Sequence, residues 1–354
     1  MFYRENGQFK TSYRADQGLF PVLQDRVAVL AVIAAAFVLV PLLASDYTFQ
    51  AVLIPFLIMA LAAIGLNILV GYCGQISLGT GAFMAVGAYA AFNLQVRIEG
   101  MPLLLAILGG GLVSMAFGVL FGIPSLRIRG LYLAVATLAA QFFMDWLASR
   151  AAWVTNNSSS GSVNARSLDL LGWRIDTPME KYLLCLGILC VLAWMAKNLV
   201  RGAVGREWMA MRDMDVAASV IGIRPIYAKL SAFAVSSFIV GVAGALWGFV
   251  HLGSWEPSAF NLDMSFKLLF MIIIGGLGSI SGGMLGAAFF VLLPLFLTHV
   301  PHWLGLPLST AAATYLEHMI FGALIVFFLI VEPHGLARLW ATARQKLRLW
   351  PFPH

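Results

Sequence analysis

Few residues in this chain stand at spacings that could do chemistry. None of its six lysines, at 10, 181, 197, 229, 267 and 346, follows a glycine, so no G-x-x-x-x-G-K-[ST] phosphate cradle is present. No H-E-x-x-H motif or clustered His and Cys ligand set occurs, and the carboxylates are scattered rather than paired. Cys185 and Cys190 share one predicted helix but point about 140° apart at 100° per residue. With Cys73 they read as small apolar packing residues, not as a disulfide or a metal site. An enzyme reading is therefore weak, no cofactor is expected on this chain, and if ATP drives it another subunit binds the ATP.

The elements that must position any functional group are membrane spans. Of the 354 residues, 61% are apolar and 11% charged, against roughly 45–50% and 25% in soluble domains. That composition cannot build a soluble surface and implies an all-α, polytopic transmembrane helical bundle. The net charge of +6 comes from short basic clusters between apolar runs. It marks topology, and nucleic acid is not an expected partner. Runs long enough to cross the hydrocarbon core fall near 27–45, 50–71, 77–95, 101–123, 130–149, 181–197, 230–252, 264–275, 283–299 and 312–331. A single broken helix over the eighth and ninth would leave nine crossings.

Charge favours ten spans with both termini cytoplasmic, because sixteen of the 22 basic residues then lie inside. The division expected is a cytoplasmic arm over 1–26, a transmembrane domain over 27–331 with a cytoplasmic loop at 198–229, and a basic cytoplasmic tail over 332–354. The arm, with Arg4, Lys10, Arg14 and Arg26, is too long for a secretory leader, so the first span reads as retained.

Three features could carry function. In the cytoplasmic loop, Asp215, Ala217, Ala218 and Gly222 belong to one segment, and on a helix Ala217, Ala218 and Gly222 fall within about 140° of arc. Such a small-residue face suits docking into a partner ATPase; an interfacial helix lying on the membrane is the alternative. Glycine-rich breaks at 71–81, with Gly74 and Gly79, and at 275–283, with Gly275, Gly276 and Gly278, match at four positions in six between 74–79 and 278–283. Irregular backbone at membrane depth is tolerated only where protein or a water-filled cavity covers it. The breaks could line a path, or could pack helices closely through small residues. Asn67, Gln75, Ser77, Thr137 and Gln141 are polar, uncharged candidates for contact with a neutral or zwitterionic solute. Asp145, Glu317 and His318 sit near span ends, where headgroup-level solvation accounts for them.

At this point the motifs match a family. The blocks Gly65 to Gly79, Gly81-Ala82-Phe83 with Gly87-Ala88-Tyr89, Arg129-Gly130-Leu131-Tyr132, Gly205-Arg206 to Arg212-Asp213, Lys229-Leu230, Ala243-Gly244-Ala245-Leu246 and Gly275 to Ser279 run in order from about Ala62 to Leu336. Together they resemble the larger, LivM-like permease type of branched-chain amino acid ABC importers. The resemblance implies a multi-pass protein of the bacterial cytoplasmic (inner) membrane that works with a second related permease, two ABC ATPase subunits and a periplasmic solute-binding protein. It implies import of branched-chain or related amino acids, while relatives carry urea or short amides. Two departures stand out. Val216 occupies a position where importer permeases carry Glu, with Asp215 one residue earlier, and Thr80 stands where members often have His. An ion-coupled secondary transporter would also use broken helices, but the shortage of intramembrane acids counts against it.

Overall fold

In the computed structural model of the protein, the described residues are 11–12, 23–126, 130–158, 160–165, 169–170, 173–303, scattered positions between 316 and 330, and 335–349. Half of the expected tenth span, including Glu317 and His318, lies outside them, as does most of the arm over 1–26.

The described residues form an all-α bundle. In chain order the helices are α1 (Arg26–Leu43), α2 (Asp46–Tyr72), α3 (Thr80–Arg97), α4 (Leu103–Gly122), α5 (Leu131–Arg150), α6 (Pro178–Arg201), α7 (Ala203–Asp213), α8 (Asp215–Val220), α9 (Pro225–Leu252), α10 (Leu262–Gly275), α11 (Ile280–Trp303) and α12 (Gly335–Leu349). Their starts follow local chemistry. Thr177 and Glu180 close a reciprocal capping box on α6, with Pro178 at its first turn. Asn261 accepts the Met264 amide at the start of α10, and Ser45 accepts that of Thr48 at the start of α2.

Among the described residues, six helical stretches are long and apolar enough to cross a membrane: α1, α2, α4, α6, α9 and Pro257–Gly275, the last being α10 with the short turn before it. α3 and α5 have 18 and 20 residues but carry Asn93, Gln95, Thr137 and Gln141, which lower their apolar average. Those four side chains are turned inward and buried, so the polarity belongs to the interior of the bundle.

α2 and α9 form its centre, and α3, α4 and α9 pack as a mutual trio. Glycine makes that trio possible. A Cβ on Gly87 would collide with the Gly241 backbone, one on Gly241 with the Ser114 side chain, and one on Gly244 with the Met84 backbone. Helices approach this closely in lipid through small residues, because water cannot drive them together.

α10 and α11 settle the choice between one broken helix and two. Gly275 lies against Gly282 and Met271 against Gly286, so the two helices run antiparallel as a hairpin about the turn at 276–279. The turn is possible because Gly276 and Gly278 adopt φ of 117° and 74°.

The bundle has two unlike ends. At one, the loop after α5 folds back as a cap. Val163 and Asn164 pair with Trp255 and Ser254, the Tyr89 hydroxyl donates to the Gly161 carbonyl at 3.0 Å, and Arg97 donates to the Trp153 carbonyl at 2.7 Å. A shallow cavity of about 290 Å³ opens there, lined by residues that include Phe92, Thr155 and Asn164. The other end holds the break after α2, the turn at 276–279, the short helices α7 and α8, and the start of α12.

Candidate functional site

The glycine end is where the irregular backbone gathers. α2 widens into a π-turn over Ile68–Tyr72, after which Gly74 takes φ 71° and the chain runs non-helically to α3. Each loose backbone group then needs a partner, since an unpaired one costs heavily away from water. Leu78 donates its amide to Thr137 Oγ1 at 2.9 Å, and Gly81 donates its amide to Ser265 Oγ at 2.7 Å. Gly79 sits so tightly against the Thr137 carbonyl that a Cβ would not fit.

One side chain ties this break to the second. Asn67, fully buried, donates through Nδ2 to the carbonyls of Ser279 at 2.7 Å and Gly276 at 3.3 Å, and accepts the Gly278 amide on Oδ1 at 2.9 Å. A Cβ on Gly71 would strike both Asn67 Oδ1 and the Gly278 amide, so that glycine is required by the knot.

Arg212, at the end of α7, reaches the same place. Its Nη1 donates to the Gly71 carbonyl at 2.9 Å, while Nε and Nη2 bind Asp213 Oδ1 at 2.9 and 2.8 Å. Gly74 lies against the Arg212 stem and Gly278 against its guanidinium. α7 itself is held by Trp208, fully buried, whose Nε1 donates to Ser231 Oγ on α9 at 3.0 Å. The loop at 198–229 is thus mechanically joined to both breaks and to the central helix α9.

A second polar knot lies deeper. Gln141 donates through Nε2 to the Phe260 carbonyl at 2.7 Å and to Asp145 Oδ1 at 3.2 Å, and accepts from Ser265 Oγ at 3.2 Å. α3, α5 and α10 meet there.

The path candidates therefore divide. Asn67, Thr137 and Gln141 are committed to backbone, and Ser77 accepts the Gly79 amide at 3.4 Å. By contrast, Gln75 Oε1 and Thr80 Oγ1 are buried with no hydrogen-bond partner. Both flank the first break. Gly275, Gly276 and Gly278 shape the hairpin turn, and Gly74 and Gly79 the first break.

In the loop, the small-residue arc does not form. α8 ends at Val220, and Gly222 at φ 95° closes it by a Schellman turn in which Ile223 donates its amide to the Ala218 carbonyl at 3.0 Å. Ala217 is exposed, Ala218 is buried, and Asp215 lies in the first turn, half-buried. The surface presented outward is apolar instead, formed by Met214, Val216, Val220 and Ile221, with Val220 81% and Ile221 75% exposed. Sequence reasoning picked out Arg212 only within the block Gly205-Arg206 to Arg212-Asp213 and passed over Ser265. Neither shows its partner along the chain.

A family model described as the branched-chain amino acid transport system permease component matches residues 48–329. The high-affinity branched-chain amino acid transport system permease protein LivM of Salmonella typhimurium is 29% identical over 302 residues, covering 79% of this chain and 68% of that protein. The protein of the same name from Escherichia coli is 28% identical over the same shares. A probable branched-chain amino acid transport permease protein LivM from Methanocaldococcus jannaschii is 23% identical over 269 residues, covering 72% and 76%. No solved structure matches.

Proposed function

Because the chain belongs to the branched-chain amino acid transport system permease family, we propose that it is one permease of an ATP-driven importer whose inner gate is the pair of glycine breaks, moved through Arg212. It is a multi-pass protein of the cytoplasmic membrane and a transport component rather than an enzyme. The cargo of this reading is a branched-chain or related amino acid, with urea or a short amide as the alternative. A second related permease completes the conduit, two ABC ATPases consume the ATP, and a periplasmic binding protein delivers cargo. No cofactor is bound by this chain.

The observation that carries the reading is the bond from Arg212 to the Gly71 carbonyl. An exposed apolar surface at 214–221 suits a protein partner better than water. A push there displaces α7, and α7 holds the break through Arg212 and α9 through Trp208. Asn67 makes the second break follow the first. Gln75 Oε1 and Thr80 Oγ1, the buried polar atoms left unpaired at the break, are the atoms free to meet a zwitterion in passage. Ten crossings with both termini inside are supported by direction. α11 starts at the hairpin turn and, at 24 residues, runs about 36 Å away from it. Yet Gly335 lies back against Gly276, so α11 and α12 both start from the hairpin end, as an even number of crossings requires.

The test uses the reconstituted transporter. Val220→Asp with Ile221→Asp is expected to leave the chain inserted while ATPase copurification and ATP-driven uptake are lost. Arg212→Ala is expected to keep the ATPases bound and hydrolysing while uptake drops at least about tenfold, the loss of one charge-assisted bond of roughly 1.5–3 kcal/mol. Uptake that survives ATPase inactivation but collapses with a protonophore would sink the proposal.

A further inference from the structure

α12, the basic segment after the bundle, has the form of a membrane-surface helix. It separates apolar from polar residues more sharply than any other described helix. At 100° per residue, Leu339, Ala343, Leu336 and Trp340 fall within about 100° of arc. The same 15 residues contain Arg338, Arg344, Lys346 and Arg348 and no acid.

Its placement is fixed at one end. Gly335, at φ 68°, lies so close to the Ile274 carbonyl and the Gly276 amide that a Cβ would stand 2.6 and 2.7 Å from them. The helix therefore starts hard against the hairpin turn, at the end of the bundle where α7 and α8 lie. From there it runs about 22 Å, short of the roughly 30 Å needed to span the hydrocarbon. Leu339 and Trp340 are 49% and 61% exposed, so the described residues leave that part of the apolar arc open.

We propose that α12 lies in the plane of the adjacent leaflet and binds anionic phospholipid headgroups, with Trp340 and Leu339 at the boundary between headgroups and acyl chains. Charge decides the occupant. An apolar arc alone would suit any bilayer or a protein groove, but four positive charges with no acid among them match an acidic lipid surface. The lipid is already at hand around the spans that precede α12, and a tryptophan is at home at that depth.

Hydrogen–deuterium exchange of the full chain in lipid nanodiscs tests this. Peptides covering 335–349 are expected to exchange about tenfold or more slowly when the disc contains about three in ten phosphatidylglycerol than in phosphatidylcholine alone. Roughly 0.5 M salt should erase the difference, because it screens charge over a few ångströms. The variant Arg338→Gln, Arg344→Gln, Lys346→Gln, Arg348→Gln should show none. Equal exchange in the two lipids overturns the proposal, whether both are fast, which means no docking, or both slow, which means an apolar or protein contact. If the fourfold variant fails to insert, the salt arm on the unaltered chain decides alone.

Discussion

Asn67→Ala removes three hydrogen bonds at once from the join between the two breaks. The bonds to the Ser279 carbonyl and from the Gly278 amide, at 2.7 and 2.9 Å, are well formed, while that to Gly276 at 3.3 Å is marginal. The Gly278 amide is thus left without a partner, at about 1–3 kcal/mol when buried, and the Ser279 carbonyl, which keeps the Gly283 amide at 3.1 Å, loses a second bond worth about 0.5–1.5 kcal/mol. Leu277 at the tip of the turn is exposed, so water relieves part of that. A local loss of about 2–4 kcal/mol follows, and at about 1.4 kcal/mol per tenfold the turn should open roughly two orders of magnitude more often. Hydrogen–deuterium exchange across 276–283 in nanodiscs reads this directly, with peptides from α4 as an internal reference. Asn67→Asp separates hydrogen bonding from shape. It keeps an acceptor for the Gly278 amide but has no donor for the Ser279 carbonyl, so it should open the turn as well. Exchange changed by less than about threefold in the alanine variant, or an aspartate variant that behaves like the parent, would refute the knot.

Two further outcomes are expected. Trp208→Ala empties a fully buried indole site and frees Ser231, a loss of about 3–5 kcal/mol that should peel α7 from α9; limited trypsin digestion should then cut at Arg206 and Arg212 while the bundle stays intact. Gly241→Ala drives a methyl into Ser114 and should lower the detergent melting temperature by overpacking, about 1–3 kcal/mol, whereas Gly187→Ala, with nothing within 4 Å, should leave it unchanged or raise it through helix propensity.

The spans were readable because run length maps directly onto membrane thickness. The expected 50–71 and 181–197 stand inside α2 and α6, which extend a few residues beyond on caps and first turns. The breaks were readable because glycine is the residue that tolerates their backbone. What composition could not decide was the relation between the eighth and ninth runs, since a hairpin and a kink use the same glycines. The contacts of Gly275 with Gly282 and of Met271 with Gly286 separate them. Partners were illegible for the same reason. Asn67 and Ser279 lie 212 positions apart, and nothing local to either names the other. In α8 the reading erred by carrying the helix through Gly222. A glycine just past the last periodic residue marks a helix stop, and here it ends α8 after one and a half turns. A bulky residue at 222 would strain that stop as well as obstruct docking, which is why Val220 and Ile221 make the cleaner test.

Polar residues inside spans invite the thought of cargo, but here most are spent on backbone. Thr137, Ser265 and Asn67 each satisfy an amide that a continuous helix would have paired for itself, and Gln141 takes the carbonyl of Phe260 and the hydroxyl of Ser265. A break held this way cannot flex residue by residue, because opening one bond strands a group where water is scarce. It moves as a block or not at all. In the importer proposed above, the block is gripped from the loop side by the Arg212 guanidinium. That is why an engine outside the membrane, acting on 214–221, suits this architecture better than an ion moving through it.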